Sequence, residues 1–174
     1  MAITASNTAS KACIAIAAVA AFASAVEPGA RVQVVFSEPQ NFTDVKSDYL
    51  GGDKERDFLL GQLRKHLEER AAAHVPDGHR LTVTITDVDM AGDFEPGRNP
   101  RLDGARILRA VYPPRINLRF ELADAAGQPV KAGQRSLTDL AFLSSPDIRR
   151  NDPLKHEKNL LDDWLDREFP LPQG

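Results

Sequence analysis

Cysteine is almost missing from this 174-residue chain: the single one, Cys13, lies near the start. Histidine is sparse too, and His66, His74, His79 and His156 form neither HExxH nor an i, i+4 pair on one helix, so no zinc site is expected. No serine sits in a Gly-x-Ser-x-Gly elbow and no glycine-rich phosphate loop is present. There are no internal repeats and no low-complexity tracts. Long apolar runs are absent as well; the longest, Ala12 to Phe22, is too short to cross a bilayer comfortably.

That short run has a different meaning in its context. A polar start with one cation, Lys11, precedes it, and the small residues Ala23, Ser24 and Ala25 follow. This is the layout of a secretory signal peptide at residues 1–25, with cleavage expected after Ala25. Lys11 and Ala12 are not the uncharged apolar approach that lipoprotein processing needs before a cysteine, so no lipid anchor is expected. Cys13 would leave with the signal, and disulfides, thiol catalysis and cysteine-bound zinc would leave with it. Residues 26–174 then form one exported globular domain in the periplasm, with no transmembrane segment.

The charge is mildly acidic, -3 for the whole chain and -4 without Lys11, which argues against a nucleic-acid partner. Its distribution is uneven. Arg98, Arg101, Arg106, Arg109, Arg115 and Arg119 fall within one segment that holds a single acid, Asp103. Such a segment could meet an anionic partner, or it could be consumed by internal ion pairs.

Alternation of Val32, Val34 and Phe36 predicts a first strand over 31–38, stopped by Pro39. Leu59, Leu60, Leu63, Leu67 and Ala71 predict a helix from Asp53 to about Val75. Leu81, Val83 and Ile85 alternate with threonines in a second strand. A third is predicted over 105–112, ended by Pro113 and Pro114, a fourth over 115–122, and a fifth over 134–143. Asp152 and Pro153 open a closing helix that buries Leu154, Leu161, Trp164 and Leu165. The expected fold class is α+β: a mixed, mostly antiparallel sheet of four or five strands, order β-α-β-β-β-β-α, with both helices on one face and the other face open to water.

The stretch TDVDMAGDFEPGR, residues 86–98, resembles a calcium loop at Asp87, Asp89, Gly92 and Glu95. It departs from one at Ala91 and at Arg98, which stands where the decisive bidentate glutamate belongs, and a strand rather than a helix leads into it. No metal or cofactor is therefore expected. Asp87 and Asp89 share the parity of Leu81, Val83 and Ile85, which predicts that both carboxylates turn towards the core. There they would need Arg106, Arg109 or Arg115, or backbone N–H groups, as partners. Arg106 and Arg115 are expected to be structural, and Arg98, Arg101 and Arg119 exposed.

VQVVFSEPQNFTDV, LTVTITDVDMAGDFEP, VYPPRINLRFELAD and LKHEKNLLDDWLDREF, in that order, resemble an exported single-domain bacterial family of unknown function, domain-of-unknown-function family 3016. The resemblance implies a Gram-negative periplasm and carries over no activity and no catalytic residue. The functional expectation is a non-enzymatic binding or accessory module for an envelope component or a periplasmic protein. Asp87, Asp89, Arg106, Arg109, Arg115 and Arg119 are its candidate ligand-binding residues. The alternatives are a hydrolase that uses Asp87 and Asp89 as paired carboxylates, and a purely structural envelope protein.

If residues 1–25 are an export signal, the intact mass of the protein recovered from the periplasm should match a chain that starts at Val26. A recovered mass that retains those residues would refute export by cleavage.

Overall fold

Strand β1, Val32–Phe36, buries Val32 and Val34 and ends where Pro39 starts a single 3-10 turn. The computed structural model describes residues 30–45, 52–95, 97, 105–144 and 151–171. Arg98 and Arg101, like the predicted signal segment, lie outside the described residues. Helix α1, Asp53–Ala71, carries Asp53 and Glu55 in its first turn and Arg70 in its last, the polarity that the helix dipole favours. Its Leu59, Leu60, Leu63, Leu67 and Ala71 form one buried stripe.

Strand β2, Arg80–Asp89, runs parallel to β1, from Val32 opposite Leu81 to Phe36 opposite Ile85. A two-residue ribbon follows, β3 at Asp93–Phe94 against β4 at Arg106–Ile107. Strand β5, Arg115–Ala123, pairs antiparallel with β2, and β6, Pro129–Thr138, pairs antiparallel with β5. The main sheet therefore has the order β1-β2-β5-β6. Helix α2, Lys155–Glu168, returns over the same face as α1, and both helices share one apolar core with the inward rows of the strands. The opposite row of β2 and β5, Thr82, Thr84, Asn117, Arg119 and Glu121, is half-buried or exposed. The α+β class and the two-helix layer agree with the sequence reading.

Two strands differ from it. The segment 105–112 yields only Arg106–Ile107, outside the main sheet, because a turn with the Tyr112 N–H on the Arg109 carbonyl folds the chain back. The last strand starts five residues earlier than expected. At its entry the Asp124 carboxylate accepts the N–H groups of Ala126 and Gln128, and Gly127 takes φ 78°, so the hairpin closes at once and pairing begins at Pro129. Leu137 is the only buried residue of β6, so no hydrophobic alternation marks the strand. Phe142, inside the span expected for this strand, is buried in a 3-10 turn at Phe142–Ser144 instead.

The β6 edge is held to α2 by charge and aromatic faces. Phe120, Trp164 and Phe169 meet with ring centroids 5.5 to 5.9 Å apart. Lys131 lies over Phe169 and Arg135 over Phe120, and both cations also reach the Glu168 carboxylate. Gly133 sits opposite Phe120; a Cβ there would come 2.9 Å from Arg135 Nη1 and 3.1 Å from the Phe120 ring. The same row of cations guards the edge against pairing with another strand.

Partial burial works against the charge of Glu168, but hydrogen bonds from Lys131 and Arg135 outweigh it and hold its carboxyl below the ordinary glutamate range. A depressed carboxyl contributes stability above its unfolded pKa and loses it as pH falls through the folded one. Glu168→Gln should thus cost about 1 to 2 kcal/mol in urea melts at pH 7. The deficit should shrink as the pH is lowered below the ordinary glutamate value of 4.5. A deficit that stays constant down to pH 3 would mean that the charge contributes nothing.

Candidate functional site

The carboxyl ends of the parallel strands β1 and β2, the start of β5, the end of β6 and the start of α2 all come to one end of the sheet. In open sheets with helical crossovers, crevices form outside the carboxyl ends of parallel strands. Here a cleft of about 480 Å³ lies between Thr43, Asp44, Asp89, Gly92, Phe94, Tyr112 and Arg115, with Met90, Asp93, Val111 and Pro113 completing its lining.

A bulge in β2 decides which side chains reach it. Ile85 pairs with Leu118 and Asp87 with the next residue along, Asn117, so Thr86 is an extra residue without a partner of its own. Its hydroxyl donates to the Asn117 carbonyl. Beyond it the inside and outside rows exchange. Val88 and Met90 are buried in the core cluster, and Asp87 and Asp89 face away from it. The prediction that both carboxylates turn towards the core is therefore wrong, and the cause is one inserted residue.

The chain after the 3-10 turn lies alongside this strand end. Asp44 donates its N–H to the Val88 carbonyl, and Met90 donates to the Asp44 carbonyl. Asp87 accepts the N–H of Thr43 at 2.7 Å and its hydroxyl at 2.9 Å. Arg106, expected beside Asp87 or Asp89, instead meets Asp44 at 2.8 Å, donates to the Gly92 carbonyl at 2.9 Å and stacks over Phe94 at 4.8 Å. Arg109 pairs with Glu95 at 3.1 Å. Arg115 is exposed, directly across from Asp89, rather than structural as expected. Arg119 is separate from this group: it stands exposed on the open face between Thr84 and Gln134 and lines a depression of about 550 Å³ there. Thus the structure gathers Asp87, Asp89, Arg106 and Arg115 around one strand end, places Arg109 at the adjoining ribbon, and leaves Arg119 apart.

Burial raises the pKa of Asp89. Arg115 opposes the shift, Asp44 and Asp87 add to it, and Arg106 counters it. Among the described residues no three His, Cys, Asp or Glu side chains are grouped so as to hold a metal ion.

Behind the cleft wall lies a residue that the sequence reading passed over. Glu157, in the first turn of α2, is 1% exposed, and its Oε1 accepts the Ala91 N–H at 2.7 Å. Its Oε2 is buried without a hydrogen bond. The signal was there in the spacing: Leu154, Glu157, Leu161 and Trp164 occupy one helical face, and a charge on an apolar stripe marks a buried charge. Ala91 leads into Gly92, which holds φ 82° and approaches β4 so closely that a Cβ would come 2.8 Å from the Ile107 carbonyl oxygen. Gly92 in turn donates its N–H to the Tyr112 carbonyl. Glu157 thereby anchors the loop that forms the cleft wall.

Desolvation pushes the Glu157 carboxyl up to about 7, against the Ala91 N–H and Arg106, which favour its charge, and with the help of Asp152. A carboxyl whose folded pKa is raised binds its proton more tightly in the native state, so stability falls as pH rises from the unfolded value to the folded one. Glu157→Gln should unfold at higher urea than the wild type at pH 8, by about 1 to 3 kcal/mol, and the gain should close towards pH 5. Equal midpoints at both pH values would refute a buried, late-titrating carboxyl.

No curated protein matches the sequence. Among solved structures, the 2.35 Å crystal structure of a minor lipoprotein from Acinetobacter baumannii aligns with 80% of this chain and 87% of its own, at 9% identity and a TM-score of 0.29. The model of the family described as "Protein of unknown function (DUF3016)" matches residues 30–167, which includes all four strands of the main sheet and nearly all of α2, and the chain belongs to that family.

Proposed function

We propose that this protein is an exported, non-enzymatic binding module of the cell envelope, and that its ligand meets the cleft at the carboxyl ends of β1 and β2. The signal-like arrangement of residues 1–25 supports export. One observation carries the binding reading: the walls of the cleft, about 480 Å³, come from the ends of several chain segments, whereas the depression around Arg119, about 550 Å³, is lined by sheet residues alone. Strand ends and loops fixed by a rigid sheet are where binding residues concentrate.

The hydrolase alternative is less well supported. Asp87 has both oxygens engaged by Thr43, which suits a tie between two chain segments better than acid and base work. Among the described residues no helix is long and apolar enough to cross a membrane.

Titrating the 15N-labelled protein with low-molecular-weight and protein fractions of a periplasmic extract tests the reading. Saturable shifts at the amides of Asp89, Gly92, Tyr112 and Arg115 are the expected result. Shifts confined to the open face around Arg119, or none with either fraction, would overturn the assignment to the cleft.

A further inference from the structure

The charged side chains around the cleft fall into two groups. Asp87 is taken by Thr43, Asp44 by Arg106, Glu95 by Arg109, and one oxygen of Asp93 by the Phe94 N–H. Asp89 and Arg115 behave differently. They are directly opposite across β2 and β5, and both line the cleft. Yet among the described residues neither side chain makes a hydrogen bond or an ion pair. Two opposite charges thus stand in one cleft without closing on each other, the anion half-buried and the cation exposed.

Separated charges of opposite sign present the mirror image of a zwitterion. An ammonium group at Asp89 would enter the field of Asp44 and Asp87 as well, and a carboxylate at Arg115 would find a planar, two-pronged donor. Phe94, Val111, Tyr112 and Pro113 give the same cleft an apolar wall where a side chain could rest. We propose that the cleft binds a small zwitterion, an α-amino acid or a short peptide, with its ammonium on Asp89, its carboxylate on Arg115 and its side chain against Tyr112 and Val111.

Two further features fit this assignment. The desolvation that raises the Asp89 pKa shows that its negative charge is incompletely compensated, which an incoming ammonium would remedy. Asp93 on the rim adds negative charge, so the cleft should prefer a ligand that carries an extra cation over one that carries an extra anion. The proposal rests on the cleft being a binding site, as argued above, and adds to it the class of ligand.

Calorimetric and NMR titrations of the purified protein with L-alanine, L-lysine, L-glutamate and the dipeptide Ala-Ala test it, with N-acetylalanine and alaninamide as probes that lack one charge. Expected is saturable binding of an amino acid or the dipeptide at the Asp89 and Arg115 resonances, with the lysine probe favoured over glutamate. Each blocked probe should bind at least about tenfold more weakly, the scale of one lost charged hydrogen bond. Asp89→Asn should erase the preference for a free ammonium, and Arg115→Gln the preference for a free carboxylate. Both positions are only partly buried or exposed, and unchanged thermal melts would show that the variants fold. Equal binding of the blocked probes, or no binding of any zwitterion at millimolar concentration, would overturn the proposal. If that happens while extract still moves the cleft amides, the ligand class is wrong and the cleft remains the binding site; if extract moves nothing there, both fail.

Discussion

One extra residue in the middle strand controls this end of the molecule. Without the bulge at Thr86, Asp87 and Asp89 would continue the row of Leu81, Val83 and Ile85 into the core, and Val88 would face water. Two carboxylates would then need burial against the helices, at several kcal/mol each unless fully paired. The bulge exchanges the rows instead: Val88 and Met90 continue the apolar layer, and the acids emerge at the strand end, where Thr43 and Arg115 face them. Both the core and the cleft depend on that exchange.

The same constraint explains what could be read from the residues alone. Periodicity identified β1, α1, β2, β5 and α2, because each has an inward row of Leu, Val or Ile at the spacing of its element. It misplaced the start of β6, whose inward row is Lys131, Gly133, Arg135 and Leu137: the first three seal the core edge by stacking and ion pairing or by yielding space, and only Leu137 by apolar burial. It failed at the end of β2 as well, since strict parity assumes no bulge, and no residue at Thr86 announces one. Glu157 was legible by position but not by type, because a charge on an apolar stripe is ordinarily excluded.

Glu157 links helix α2 to the loop after β2. Its carboxylate fixes Ala91 to the first turn of α2, Gly92 then passes under β4 and pins Tyr112, and Arg106 ties the Gly92 carbonyl to Asp44. A buried carboxyl with one oxygen unsatisfied costs stability that an apolar side chain would not. What it supplies in return is a fixed position for Gly92, which has no side chain of its own to pack. The cleft wall is therefore held from behind, by a carboxyl on the helix that the cleft itself does not contain.

Charge counted along the chain and charge offered to solvent are different quantities here. The arginine-rich segment suggests a cationic surface when read as a line of residues, yet folding brings Asp44 to Arg106 and Glu95 to Arg109, from sequence positions on the other side of the ribbon. Held in these pairs, Arg106 and Arg109 are less available to an outside anion than lone arginines would be. Arg119 and Arg115 keep their charge exposed on different parts of the molecule, one on the open face and the other at the cleft. On the open face Arg119 stands in the same row as Glu121, so the two charges offset each other there. Arg115, opposite a half-buried carboxylate in a concave site, has both a sign and a geometry, so recognition is better placed at the strand ends than across the open face.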